Sequence, residues 1–266
     1  MLENGEHTQQ PGGRPAPGTL GEVLYGSGPG AVVPEADWAG LVRGVARGEA
    51  AALHELFERA HRLVYALAVH LGASPDVAEE VTVDVFLDIW RRAWNYDPES
   101  CTVLAWIMNQ ARSRCLVALP GAKSADRAVS FAAAAVPRSS LELHVRLANR
   151  IAAASGRDAL PPPLTRWSEP PWDEVAPGIL CKIFADDAPR HRVSMLVRLQ
   201  PGVEYPPHQH AGLEELHLLE GELWIDDRKL RPGDYNRAQA PSGDKRVWSE
   251  TGCMCMLATS TDDVLA

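Results

Sequence analysis

No stretch of this sequence approaches the roughly 18 consecutive apolar residues that a membrane-spanning helix requires, which removes integral-membrane classes and a membrane partner. Positive charge is scarce as well. Lys and Arg total 26 against 35 Asp and Glu, a formal net charge of −9. Such a surface repels nucleic acid as a whole, so any DNA contact has to come from a local basic patch. Cysteines are few, odd in number and scattered, at Cys101, Cys115, Cys181, Cys253 and Cys255. That is not the paired pattern of a secreted disulfide framework. The first residues have neither the basic start nor the apolar centre of a signal peptide. A cytoplasmic protein is the expectation.

What is present suits a soluble protein of two modest domains. The chain has 266 residues, 45% hydrophobic and 23% charged. Residues 1–36 are crowded with glycine and proline, as in Pro11-Gly12-Gly13 and Gly28-Pro29-Gly30, and predict a disordered tail. Residues 37–119 read as an all-α bundle. Leu53, Leu56, Phe57, Ala60, Val64, Leu67 and Leu71 recur at spacings of three and four, a buried helical stripe. Ser74-Pro75-Asp76 supplies an N-cap, a first-turn proline and a dipole-matched acid for the next helix. A third helix is predicted over about 102–118. Residues 120–170 form a linker with one helix at about 139–154, opened by Ser139 and Glu142 as a capping box, with Leu141, Val145, Ala148 and Ala152 as its apolar stripe. Residues 171–262 change to short strands, with Ile179–Phe184, Val193–Leu199, Glu215–Leu219, Leu223–Ile225, Tyr235–Ala238, Arg246–Trp248 and Met254–Ala258 as candidates. The expected fold class is thus α+β multidomain, an N-terminal helical bundle ahead of a C-terminal all-β barrel or jelly roll.

The chemistry-bearing stretch lies in the β half. His208-Gln209-His210 places two imidazoles on one strand face, and Glu214 rejoins them after the Ala211-Gly212 bend. Two nitrogens and one carboxylate suit Zn²⁺, Fe²⁺ or Mn²⁺. His217 falls on the opposite face, and Cys253-x-Cys255 reads as core packing rather than ligation. His54, His61, His70, His144 and His191 show no ligand spacing and read as surface or helix-face residues.

Gly202 through His208-x-His210-x3-Glu214 to Gly221 resembles the first motif of the cupin family. Gly233 and Pro241-Ser242-Gly243 resemble parts of the second, whose final histidine position is Arg246 here. A guanidinium offers only donors and cannot ligate a cation. Two arrangements stay open: a metal on His208, His210 and Glu214 with zinc first and iron or manganese as alternatives, or no metal, with Arg246 paired to Glu214. Through Pro171-Trp172, Leu219-Glu220-Gly221, Arg231-Pro232-Gly233-Asp234-Tyr235 and Gly252-Cys253 the β half is most similar to the ChrR-type cupin lobe of certain anti-sigma factors. The His-x3-Cys-x2-Cys signature of the zinc-binding lobe that precedes it in that family is absent.

In the helical half, Gly48-Glu49-Ala50-Ala51, Ala78-Glu79-Glu80-Val81, Val85-Phe86-Leu87-Asp88-Ile89-Trp90-Arg91-Arg92 and Ala105-Trp106-Ile107 resemble region 2 of extracytoplasmic-function RNA polymerase sigma factors. By position, the resemblance puts Glu79, Glu80, Asp84 and Arg91 on a polymerase-facing side. It puts Trp106, Gln110, Arg112 and Arg114 on a promoter-DNA side. Two features depart from that family: Val83 stands where glutamine is usual, and the third helix ends in Cys115-Leu116-Val117-Ala118 rather than a basic run. Between Trp38 and Pro120 eight arginines and no lysine face ten acids, a poor balance for phosphate contact. No helix-turn-helix follows Pro120. The resemblances imply a transcription regulator that joins a polymerase- and promoter-binding module to a sensing cupin, with core polymerase or another sigma factor as partner and no catalysis. Two alternatives remain, a metal-dependent cupin dioxygenase and an anti-sigma-type binding protein without promoter contact.

Overall fold

The computed structural model describes residues 18–26, 32–119, 140–156 and 167–266. Helix α2 (Glu35–Ala46), α3 (Ala50–His70), α4 (Pro75–Arg92) and α5 (Val103–Ala118) pack into the expected bundle. The apolar stripe of α3 is buried throughout, from Leu53 to Leu67. The Ser74 hydroxyl caps α4 by accepting from Val77 N at 3.4 Å, and Thr102 caps α5 by accepting from Ala105 N at 3.4 Å. Glu35 ties the starts of two helices together. Its carboxylate accepts from Val103 N at 2.6 Å and from the Tyr96 hydroxyl at 3.3 Å, and burial raises its pKa to about 7.

The segment predicted as a tail contains structure. Helix α1 (Leu20–Tyr25) is opened by a Thr19–Glu22 capping box, and its first residues bond the end of the chain, Leu20 N to Asp263 O and Gly21 N to Thr261 O. Six helical residues between two glycine-rich runs give too little periodicity to detect. Residues 1–17 and 27–31 lie outside the described set.

Helix α6 (Ser140–Ser155) lies against α3 and α4. Ser139, the expected cap, lies outside the described residues. The stripe is rotated from the predicted one: Leu143, Leu147, Ala148 and Ile151 are buried, whereas Leu141 and Val145 are exposed. His144 sits inside that buried face, and a polar residue there displaces an apolar pattern drawn from the sequence.

The β half is a jelly-roll sandwich of three sheets rather than one closed ladder. A six-stranded sheet runs in the order β1-β2-β3-β12-β6-β9, with β1 (Asp173–Ala176), β2 (Ile179–Asp187), β3 (Arg192–Leu199), β6 (Glu214–Gly221), β9 (Tyr235–Ala238) and β12 (Cys253–Ser260). Opposite lie a four-stranded sheet, β4 (Glu204–Tyr205), β11 (Val247–Trp248), β7 (Leu223–Ile225) and β8 (Arg228–Leu230), and a three-stranded one, β10 (Ser242–Asp244), β5 (His208–His210) and β13 (Val264–Leu265).

Both faces of the large sheet are buried, and they belong to different cores. Met195, Val197, Cys253, Cys255 and Leu257 point into the sandwich. Their neighbours Leu196, Met254, Met256 and Ala258, with Phe184, join the core of the helices. This is the period-2 alternation of a strand with apolar residues on both faces. Each such large side chain contributes about 1.5–3 kcal/mol by leaving water. Polar contacts fix the docking: Trp38 Nε1 donates to Phe184 O at 3.1 Å, and the Thr102 and Ser194 hydroxyls are 2.6 Å apart. Gly233 has φ +90°, and a Cβ there would meet Leu71 Cδ2 at 2.6 Å. The helices and the sandwich are one packed unit.

Candidate functional site

His208 and His210 stand on β5, Glu214 at the start of β6, and Asp244 at the end of β10. Pairing of β10 with β5 sets Asp244 directly opposite His208 and Ser242 opposite His210. Side chains opposite one another across an antiparallel pair share a face, so Asp244 joins the histidines inside the sandwich. Asp244 Oδ2 lies 3.8 Å from His208 Nε2 and 3.7 Å from His210 Nε2, and His210 Nδ1 lies 3.8 Å from Glu214 Oε2. One ligand atom from each of the four residues falls within 4.8 Å of every other.

The electrostatics are those of a site built for a cation. Both ring nitrogens of His210 and Asp244 Oδ2 are buried without a hydrogen-bond partner among the described residues. Leaving such groups unpaired costs stability unless something else satisfies them. Pro206 O lies 3.1 Å from His208 Nδ1 and accepts its proton, which leaves the Nε2 lone pair free to ligate. Burial pushes the Glu214 carboxyl up to about 7, against the pull of His210. The neighbouring His210 ring holds the Asp244 carboxyl below its usual range, and Asp244 in turn raises His210. Two imidazoles and two carboxylates fit a divalent metal such as zinc, iron or manganese.

Arg246 does not enter the site. It is exposed, with Nε 3.2 Å from Glu204 Oε2 and its guanidinium 4.9 Å from the Trp248 ring. Of the two arrangements left open by the sequence, the Arg246–Glu214 pair is therefore absent, because β10 ends at Asp244 and the chain turns before β11. Sequence reasoning missed Asp244. The signal was an acid directly after Pro241-Ser242-Gly243, two residues before the expected ligand position, an even offset that keeps it on the same strand face. Cys253 and Cys255 pack in the core beneath, burial pushes the Cys253 thiol up to about 12, and neither belongs to the group of four converging ligand atoms. His217 faces the helices, its ring 4.9 Å from that of Tyr235, with both nitrogens lacking a hydrogen-bond partner among the described residues.

Strand β6 connects this site to the helices. Glu214 points inward, and the next residue, Glu215, points outward, where its Oε1 accepts from Asn109 Nδ2 of α5 at 2.8 Å and from the Tyr235 hydroxyl at 2.6 Å. The four residues expected on the DNA side lie as follows. Trp106 is half-buried with its ring 5.3 Å from that of Tyr96, and Gln110 is half-buried. The Arg112 guanidinium lies over the Tyr235 ring at 5.5 Å, and Arg114 bonds Asp84 at 3.1 Å and Asp88 at 3.7 Å. Of the residues expected on the polymerase side, Glu79, Glu80 and Asp84 hold arginines of α6, while Arg91 is exposed near Asp88 at 3.8 Å. The buried histidines correct another expectation. His54, His61, His70 and His144 all lie inside the helical module, and only His191 of that group is exposed.

Comparison with known proteins agrees with this division. Residues 56–123 match the sigma-70 region 2 family, and residues 163–261 match the ChrR cupin-like domain. The chain joins a sigma-70 region 2 module to a ChrR cupin-like domain. The sigma module is 33% identical over 76 residues to the ECF RNA polymerase sigma factor SigK of Mycobacterium sp. (strain KMS), covering 29% of this chain and 39% of that protein. It is 32% identical over 94 residues to SigK of Mycolicibacterium vanbaalenii, covering 35% and 48%. This chain thus spans less than half the length of these relatives. For the cupin, an RmlC-like cupin protein from Ralstonia eutropha JMP134 superposes with a TM-score of 0.32 at 19% identity, covering 34% of this chain and 62% of that one. An acetylacetone dioxygenase from Acinetobacter johnsonii gives 0.32 at 13%, covering 37% and 73%. At those values nothing about activity follows from either.

Proposed function

We propose that this protein is a cytoplasmic transcription regulator in which the cupin, by holding or losing a divalent metal, most simply zinc, controls access to the sigma region 2 module. The observation that carries the reading is on β6: Glu214 belongs to the metal set, and its neighbour Glu215 is bonded to α5. A metal drawing Glu214 toward His208, His210 and Asp244 fixes the strand that holds the α5 face. Loss of the metal frees a buried carboxyl with a raised pKa and loosens that strand. Core RNA polymerase, or a separate sigma factor, is the partner this module suits.

The environment of α5 favours a version without promoter contact. Arg112 is engaged with Tyr235, and Arg114 is neutralised by Asp84 and Asp88. Cations spent on internal partners do not release counterions from DNA. A dioxygenase reading has less support, because among the described residues no acid–base pair apart from the ligands lines the site, although two imidazoles and two carboxylates suit an O₂-handling iron. The test is His208→Ala with His210→Ala in the full chain, assayed by direct binding to core polymerase and by reporter transcription. Altered binding is expected. Binding and transcription both equal to wild type would refute control by this site, and uptake of O₂ by the iron-loaded protein on a substrate would favour the enzyme.

A further inference from the structure

Helix α6 lies outside both family matches, yet it covers a row of acids on α4 of the sigma module. Its buried residues Leu143, Leu147 and Ile151 repeat every four positions and seat it against α3 and α4. Arg146 and Arg150, also four apart, form a row over the acids of α4. Arg146 reaches Glu79 at 3.3 Å and also bonds Glu80. Arg150 bonds Glu80 at 2.5 Å and also bonds Asp84. All three acids that the family resemblance puts on the polymerase side are thereby paired with one helix.

The underside of α6 is specific as well. His144 is buried, and its Nε2–H donates to Glu58 of α3. Its Nδ1 lies 3.0 Å from Nδ1 of His54, so one of these two nitrogens donates to the other. This chain of one carboxylate and two imidazoles fixes the register that brings Arg146 and Arg150 over α4. Exposed ion pairs alone would be weak and nonspecific in register.

We propose that α6 is an in-cis occupant of the acidic face of α4, standing in for a guanidinium- or ammonium-rich surface of core RNA polymerase and competing with it. This rests on the proposed polymerase role of that face. The polymerase then meets a module whose free-face population is small, and its apparent affinity is reduced by that fraction, so opening the clasp raises affinity.

The experiment measures core RNA polymerase affinity with the full chain. Arg146→Glu combined with Arg150→Glu places like charges over α4 and is expected to tighten binding by at least ~10-fold. Arg146→Gln with Arg150→Gln is expected to tighten it less, which guards against a folding defect in the charge-reversed form. Asn149→Glu, on the exposed side of α6, is expected to change nothing. Glu80→Arg with Asp84→Arg tests the docking face itself and is expected to abolish binding. If wild type and the Arg146/Arg150 variants bind equally while Glu80→Arg/Asp84→Arg does not, the docking face stands and the occlusion is refuted. Weaker binding by the Arg146/Arg150 variants would make α6 part of the docking surface and overturn the proposal. If no form binds, the polymerase reading falls, and the competition falls with it.

Discussion

Replacing Asp244 with asparagine keeps the side chain's shape and removes its charge. Asp244 Oδ2 lies within 4 Å of both imidazole Nε2 atoms, at 3.8 Å and 3.7 Å. Ligation there removes a buried oxygen that otherwise has no partner. Loss of an outer-shell group costs a metal site roughly 10–100-fold in affinity, and an inner ligand costs at least the upper figure, about 2.7 kcal/mol. Zinc titration against a competing chromophoric chelator at neutral pH reads this directly. Asp244→Asn is expected to weaken zinc by ~100-fold or more, comparable with His208→Ala. Arg246→Ala is expected to leave affinity unchanged, since its charge is held at Glu204. If Asp244→Asn binds like wild type while His208→Ala does not, Asp244 is no ligand. If Arg246→Ala markedly strengthens binding, the guanidinium does oppose the cation, and the placement of that residue at the surface is wrong.

Further outcomes follow from buried groups and from the contact between helices and sheet. His217 is fully buried, and burial holds its imidazole down at about 3, so the unfolded chain takes up the proton first. Stability is full above about pH 6.5 and is lost as pH falls, by roughly 2 kcal/mol at pH 5, and His217→Leu is expected to flatten that slope in denaturant titrations. Glu35 has the opposite sign: its raised pKa of about 7 means stability present below about pH 4.5 and lost as pH rises through 7, so Glu35→Gln is expected to gain most at pH 8. Gly233→Ala combines a φ of +90° with a Cβ 2.6 Å from Leu71, whereas Gly72→Ala at φ +95° meets nothing within 4 Å. Both incur backbone strain, and Gly233→Ala is expected to cost about 1–2 kcal/mol more in thermal unfolding because the sheet is pushed from α3.

Local chemistry was the legible part of this sequence. Ser74-Pro75 marks the start of α4, the helix expected over about 102–118 is α5, and β7 and β9 fall where alternation and turn residues put them. Three of the four candidate ligands follow from His208-x-His210-x3-Glu214. What stayed hidden depends on pairing between distant residues. Asp244 becomes a ligand only through the β10–β5 register, and a family position filled by Arg246 drew attention two residues too far. His54 and His144 look solvent-facing until a helix 90 residues away supplies the partner. The unbroken apolar run Cys253-Met254-Cys255-Met256-Leu257-Ala258 did carry a readable signal. A strand apolar on both faces is covered on both sides, and here the second cover is the sigma module.

The state of the metal site is expected to reach α5 through β6. Amide hydrogen exchange on the full chain, metal-loaded against metal-stripped, decides whether it does. Slower exchange on loading is expected in β5, β6 and β10 and also in α5 around Asn109. Protection confined to the three strands, with α5 exchanging identically in both states, would contradict it.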